Sequence, residues 1–267
     1  MKLKRVKPDD DLRLDDAAAA RPDLPEDEVL EEETKKLGKE LASLQTALYA
    51  EGKQALLVVF QARDAGGKDG AIKRVFGPLN PQGSYVASFK QPTEEELAHD
   101  YLWRIHKVMP ERGFIGIFNR SHYEDVLVVR VEGLAPKDVW KRRYAQINDF
   151  ERTMVESGTR ILKFFLHISR DEQKQRLLER LDDPEKNWKF RSSDLEARAK
   201  WDDYTDAYRD VLSKCSTPWA PWYVVPADDK RVRDYLVARK VVSVLRKMNP
   251  KYPPADPEVL AWRDKII

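Results

Sequence analysis

Short apolar runs at Leu56–Phe60, Phe114–Phe118 and Trp222–Pro226, and the mostly apolar Arg160–Ile168, alternate along this chain with longer stretches whose apolar residues recur every three or four positions. A run without polar alternation predicts a strand covered on both faces. The recurring stretches predict helices. Glu28–Glu51 carries Leu30, Leu37, Leu41, Leu44 and Leu48 on one stripe, with Gly52 placed as its C-terminal cap. Further helices are expected over 69–76, over Ala135–Glu156 to a stop near Gly158, after Ser169, over Asp194–Leu212, and over Arg233–Lys247. Thr93 with Glu96 forms a capping box for a helix carrying Leu97, Tyr101, Ile105 and Val108, and Ser169 with Glu172 forms another. Tyr85–Phe89 adds one short strand. Strands separated by helices predict a parallel sheet with right-handed crossovers and helices on both faces, a three-layer α/β/α fold.

The flanks read differently. Residues 1–27 mix alternating charge, an alanine run and prolines without sustained periodicity, and are expected to form a loosely attached arm with little fixed structure. Residues 249–267, with Pro250, Pro253, Pro254 and Pro257, read as a tail, which leaves 28–248 as the domain. Composition suits a soluble globular protein of one domain, or one domain with an appendage: 267 residues, 42% hydrophobic and 35% charged. A net charge of +2 gives no general case for a nucleic-acid or membrane partner, so any anion site must come from local clustering. The single cysteine, Cys215, excludes an internal disulfide and a cysteine-cage metal site. No apolar segment is long enough for a signal peptide or a membrane span, and the cytoplasm is the expected location.

Candidate chemistry begins where the first strand ends. Leu56–Gly70 reads LLVVFQARDAGGKDG: a strand, a glycine turn and the start of a helix. Such a turn lets backbone N–H groups converge on an anion at a helix N-terminus, and its lysine reaches the outer phosphates. Ala65, Gly66, Gly67, Lys68, Asp69 and Gly70 are therefore the expected phosphate cradle. Against the Walker A pattern, Ala62 replaces the first glycine and Asp69 the hydroxyl residue that normally helps hold magnesium. The metal must then find other ligands, and Asp64 is the obvious one, because a carboxylate in a phosphate loop repels its ligand unless it faces a cation or a proton.

A polar cluster, Asn119, Arg120, Ser121, His122, Tyr123, Glu124 and Asp125, follows the strand Phe114–Phe118 at once. Ligands of doubly wound sheets collect at the carboxyl ends of strands, so this cluster is placed to meet the phosphates. Asn119 stands where a metal-holding carboxylate is expected, which leaves Glu124 or Asp125 for that task, and Arg120 is suited to stabilise charge on a transferring phosphoryl group. Further on, Lys174, Arg176 and Arg180 lead into the charged and aromatic stretch Asp182–Arg191, and a lid is expected over about 174–199.

Taken as a set and in this order, Asp64-Ala65-Gly66-Gly67-Lys68-Asp69-Gly70, Asn119-Arg120-Ser121-His122-Tyr123-Glu124-Asp125 with Arg130 beyond, Asp183-Pro184 with Trp188-Lys189-Phe190, and Ala220-Pro221-Trp222-Tyr223 resemble the family 2 polyphosphate kinases. The resemblance spans roughly Glu40 to Met248. It implies a P-loop kinase fold with a parallel sheet and a helical lid, similar in architecture to thymidylate kinase. It also implies phosphoryl transfer between inorganic polyphosphate and nucleoside mono- or diphosphates with magnesium or manganese. Many members have aspartate at the position of Asn119 and asparagine at that of Glu124, whereas the class III version reads as here, which implies that both AMP and ADP are acceptors. Carried over by position, Asp64 and Glu124 become metal or proton-handling groups and Lys68 and Arg120 phosphate holders. Asn119 and Arg130 fall among the nucleotide-binding positions, while Arg130, Arg176 and Arg180, with Lys189 of the lid, line the path of the polyphosphate. The implied nucleotide is adenine, with guanine as the alternative base, and the implied assembly a homo-oligomer. Two other readings share the same loop: an ATP-dependent nucleoside monophosphate kinase, and a non-enzymatic sensor of polyphosphate or nucleotide. The pairing of Asp64 with Glu124 speaks against the sensor, since binding alone does not require it.

Overall fold

The computed structural model describes residues 3–8, 10, 12–260 and 262–266. Helix α1 (Asp27–Glu51) ends on Gly52, whose left-handed φ of 62° lets its N–H return to the Leu48 carbonyl at 3.1 Å. The chain then enters β1 (Ala55–Ala62), in which every residue is buried. After β1 come α2 (Lys68–Phe76), β2 (Ser84–Ser88), β3 (Ile115–Asn119), α3 (Lys137–Glu156), β4 (Thr159–His167), α4 (Arg170–Asp182), α5 (Ser192–Ala199), α6 (Trp201–Lys214), β5 (Trp222–Pro226) and α7 (Lys230–Met248). The five strands form one sheet in the order β2-β3-β1-β4-β5, and each neighbouring pair is parallel.

Alternation along β1 divides the core in two. Leu56, Val58 and Phe60 pack with the buried faces of α1, α2 and α7, while Leu57 and Val59 pack with Trp140, Tyr144 and Ile147 of α3 and Tyr208, Val211 and Leu212 of α6. Helices therefore cover both faces of the sheet, the α/β/α arrangement expected. Each such side chain contributes roughly 1.5–3 kcal/mol relative to exposure. Because all strands run one way, their carboxyl ends gather along a single edge. The register sets Phe60 opposite both Asn119 and Phe164, so the segments leaving β1, β3 and β4 emerge side by side.

Four local expectations differ. The single helix expected after Thr93 is two short ones, Glu94–Leu97 and Trp103–His106, although its capping box forms in full. The helix expected over Asp194–Leu212 breaks at Lys200 into α5 and α6. At Ser169 only half of the capping box is made: its hydroxyl accepts the Glu172 N–H at 3.1 Å, while its own N–H donates to Asp228 and the Glu172 carboxylate is taken by Arg176. The fourth is the N-terminal arm, which is docked rather than loose. Val6, Leu14 and Ala19 are buried, the Val6 N–H donates to the Trp222 carbonyl at 3.0 Å, and the Asp15 carbonyl accepts from His167 at 2.8 Å. The arm satisfies the Trp222 carbonyl of the edge strand β5, a gain invisible in its own composition.

Candidate active site

Beyond Ala62 the chain turns through Arg63–Gly67 and enters α2 with Gly67 as its N-cap. Ala65 and Gly67 take left-handed φ values of 60° and 85°, and the Gly66 N–H closes the turn on the Arg63 carbonyl at 3.0 Å. A Cβ on Gly66 would lie 2.5 Å from that of Ala62, so the two residues are matched: alanine at 62 is tolerated because position 66 has no side chain. No side chain caps α2, which leaves the N–H groups of its first turn for a ligand, reinforced by the helix dipole. The Lys68 ammonium donates to the Ala62 carbonyl at 3.2 Å. Desolvation, and after it the nearby Arg120, push its pKa below the ordinary lysine value, a cost that an anion in the loop would offset.

Arg120, the first residue past β3, has a left-handed φ of 63° and donates its N–H to the Phe60 carbonyl at 3.0 Å. Its guanidinium lies between two carboxylates, 3.0 Å from Asp64 and 3.4 Å from Glu124. Glu124 also accepts from the Gln61 amide at 2.9 Å, and Asn119 donates to Asp69 at 2.6 Å. Asp125 faces elsewhere: it pairs with Arg143 at 3.0 Å, and burial raises its pKa to about 6. The geometry therefore favours Glu124 over Asp125 beside Asp64. Among the described residues no group of three or more His, Cys, Asp or Glu could hold a metal by itself. Two carboxylates fit a magnesium ion that takes its remaining oxygens from phosphate and water, the usual way that ion is held beside nucleotides.

The other expected site residues are placed differently. Arg176 does not line an open path. It is 6% exposed, with Nε on Glu172 at 2.7 Å, Nη1 on the Ala65 carbonyl at 3.0 Å, and Nη2 on the carbonyls of Ala227 and Asp228 at 2.6 and 3.0 Å. Four hydrogen bonds commit it to holding the turn from behind. Arg180 ties α4 to α5 through Asp194 at 3.2 Å, and Lys189 sits over the exposed Trp188 ring. Arg130 pairs with Asp210 at 2.6 Å and lies over Trp140. Among the described residues none of Arg130, Arg180 and Lys189 has a hydrogen bond or ion pair to the glycine turn.

Sequence reasoning passed over several groups here. Arg63 stacks on Trp201 with its guanidinium 3.9 Å from the ring centroid and donates to the Trp201 carbonyl at 3.0 Å, joining the glycine turn to α6. Gln173 of α4 donates to the Asp64 carbonyl at 3.0 Å. Beneath the 121–125 turn, Glu151 accepts from His122, Tyr123 and Lys163, all fully buried. Lys163 carried a legible signal, since a lysine inside a strand buried on both faces requires a partner. Gln61 carried the same signal. Arg63 carried none, because its partner lies 138 residues away. Above these groups a crevice is lined by Asp64, Arg120, Glu124, Gln173, Trp201 and Tyr204. Carboxylates, cations and aromatic faces thus meet at the mouth of the glycine turn, a constellation suited to phosphoryl transfer.

Comparison with known proteins gives consistent results. Residues 25–253 match the family described as Polyphosphate kinase 2. An AMP/ADP-polyphosphate phosphotransferase of Meiothermus ruber is 55% identical over 231 residues, covering 86% of this chain and 85% of that one. An ADP-polyphosphate phosphotransferase of Rhodopseudomonas palustris is 46% identical over 243 residues, covering 85% and 84%. The crystal structure of Polyphosphate Kinase 2 from Arthrobacter aurescens TC1 matches with a TM-score of 0.91 at 40% identity, over 99% of this chain and 98% of that one.

Proposed function

This chain belongs to the Polyphosphate kinase 2 family and is a polyphosphate-dependent nucleotide phosphotransferase, and from that premise we propose that it moves the terminal phosphoryl group of inorganic polyphosphate onto both AMP and ADP. The observation that carries the mechanism is the Arg120 guanidinium held between Asp64 and Glu124 at the mouth of the glycine turn. An oxygen of the acceptor's terminal phosphate attacks the last phosphorus of the donor. One P–O bond forms, the bridging P–O bond breaks, and the polyphosphate leaves one unit shorter with the electron pair on its new terminal oxygen. The protein's task is positioning and charge neutralisation. The N–H groups of Gly67 to Gly70 and the Lys68 ammonium hold the donor end, and Arg120 meets charge on the transferring group. Asp64 orders the acceptor oxygen or takes its proton. Asp64 and Glu124 would hold magnesium or manganese, which when bound neutralises phosphate oxygens. An acceptor range covering AMP and ADP is supported by the Asn119-Arg120-Ser121 to Glu124-Asp125 pattern and by the 55% identical relative, whose name includes both nucleotides. An adenine acceptor with guanine as the alternative, a homo-oligomeric assembly and the cytoplasm as the place of action belong to the same reading. Among the described residues no helix is long and apolar enough to cross a membrane.

The direct test is to incubate the protein with ADP, polyphosphate and magnesium and no nucleoside triphosphate, and to follow ATP. ATP should accumulate, and AMP in place of ADP should give ADP and then ATP. A preparation that phosphorylates AMP from ATP but makes no ATP from polyphosphate would be an ordinary nucleotide kinase.

A further inference from the structure

The chain leaves β5, passes Ala227, Asp228 and Asp229, and starts α7, whose first turn carries Arg233. Arg233 is 3% exposed, and its guanidinium lies against the glycine turn. A Cβ on Gly67 would sit 2.2 Å from Arg233 Nη1 and 3.2 Å from Arg176 Nη1, and one on Gly70 would sit 3.4 Å from Arg233 Nη2. Two guanidinium groups thus converge where α2 begins, at the positive end of that helix's dipole.

The two arginines are not equivalent. Arg176 is committed to four acceptors and braces the turn. Arg233 has one described partner, the adjacent Asp234, reached at 2.8 Å by Nε and by Nη2. Its Nη1 donates to no described residue. A neighbouring aspartate on the same helix gives no reason for the guanidinium to extend to Gly67, and a buried, unpaired donor beside a second cation is unfavourable. Burial foremost, with Arg176 adding to it, depresses the pKa of Arg233 against the pull of Asp234. An anion at the turn relieves all of these costs together.

Arg233 Nη1 lies on the Gly67 side of the turn, whereas Nη2, already held by Asp234, lies toward Gly70. In a phosphate loop the glycine-turn N–H groups and the lysine face the phosphates of the bound chain, so a guanidinium donor beside Gly67 with no described partner faces the same anion. We propose that Arg233 Nη1 binds a phosphate oxygen of the polyphosphate donor held in the glycine turn, and so contributes to affinity for the donor rather than for the acceptor. The inference rests on the phosphotransferase reading above and deepens it.

The test compares full-length wild type with Arg233→Gln and Arg233→Lys by steady-state kinetics, varying long-chain polyphosphate at saturating ADP and ADP at saturating polyphosphate across a salt series. Arg233→Gln should raise KM for polyphosphate about 10-fold with KM for ADP within twofold. The slope of log KM against log salt should fall by about 0.7, the value for one phosphate charge that the protein no longer neutralises on a single-stranded polyanion. Arg233→Lys should recover part of both effects. Since the glutamine variant strands Asp234, Arg233→Gln with Asp234→Asn is measured alongside, and should show the same split. Equal increases in both KM values, or an unchanged salt slope in the double variant, would overturn the assignment. Wild type that makes no ATP from polyphosphate would overturn the broader reading; wild type that does, with no selective loss on substitution, removes only Arg233.

Discussion

At the scale of single residues the site turns on Asp64, a carboxylate in a loop built for anions. It is tolerated because Arg120 lies 3.0 Å away, and its task is set by the same charge. Asp64→Asn keeps the loop's shape, since the Asp64 carbonyl still accepts from Gln173, and removes the carboxylate proposed to order a metal or accept a proton. Calorimetric ADP affinity without metal should hold or tighten, because repulsion toward phosphate is relieved, while single-turnover rates should drop by at least ~100-fold. Lys68→Ala should weaken polyphosphate affinity and rate together, because its charge is placed to meet the donor phosphate in the ground state as well as during transfer. Near-native turnover in the asparagine variant would reduce Asp64 to a turn residue.

At the scale of elements, the turn 121–125 is only as well placed as what lies beneath it. Tyr123 and His122 are anchored to Glu151 of α3, and Lys163 of β4 donates to Glu151 at 2.5 Å, to the Tyr123 hydroxyl at 2.7 Å and to the Cys215 carbonyl at 2.8 Å. Such a cluster fixes geometry at a desolvation cost, and its worth shows when one partner goes. Glu151→Gln strands a fully buried ammonium and should destabilise the protein by about 3–5 kcal/mol in denaturant titration. Replacing both, Glu151→Leu with Lys163→Met, should cost clearly less than the single change. A double variant as unstable as the single one would mean that packing, not charge, holds this turn. The same elements show why some of the site was legible and some was not. A lysine in the interior strand RILKFFLHI and a glutamine in LLVVFQ announce buried polar contacts. The break at Lys200 and the turning inward of Arg176 depend on neighbours from other elements, which local periodicity does not contain.

At the scale of the whole molecule, two buried histidines make folding depend on pH. Burial lowers the pKa of both His122 and His167 below the ordinary value. The unfolded chain then binds protons that the folded chain refuses, so their contribution is complete above about pH 6.5 and is lost as pH falls toward the folded values. Each adds up to about 1.36 kcal/mol per pH unit to the slope in that window. Asp125, raised to about 6, acts the other way, favouring the folded state as pH falls from 6 toward 4. A comparison between variants isolates one group: His167→Gln, which keeps a donor toward the Asp15 carbonyl, should lose less stability than wild type between pH 7 and 5.5 in urea unfolding. Equal losses would show that His167 titrates normally in the fold.

What the sequence determined alone is local or periodic. Uncharged runs set the strands, apolar spacing set the covering helices, and the string Asp64–Gly70 set a strand-to-helix glycine turn with a lysine at its end, the pattern that points to phosphate. The run Asn119–Asp125 set the second half of the site by standing at a strand's end. The tertiary structure decided which charges share space. Parallel register brought Arg120 between Asp64 and Glu124, separated by 56 and 4 residues, and set Glu124 rather than Asp125 toward the site. It buried Arg176 behind the turn, laid the N-terminal arm along the edge strand, and carried Arg233 to Gly67 across more than half of the chain. The reason is physical: hydrophobic periodicity is written in neighbours along the chain, whereas the pairing of a buried charge depends on residues that become neighbours only when the sheet is closed.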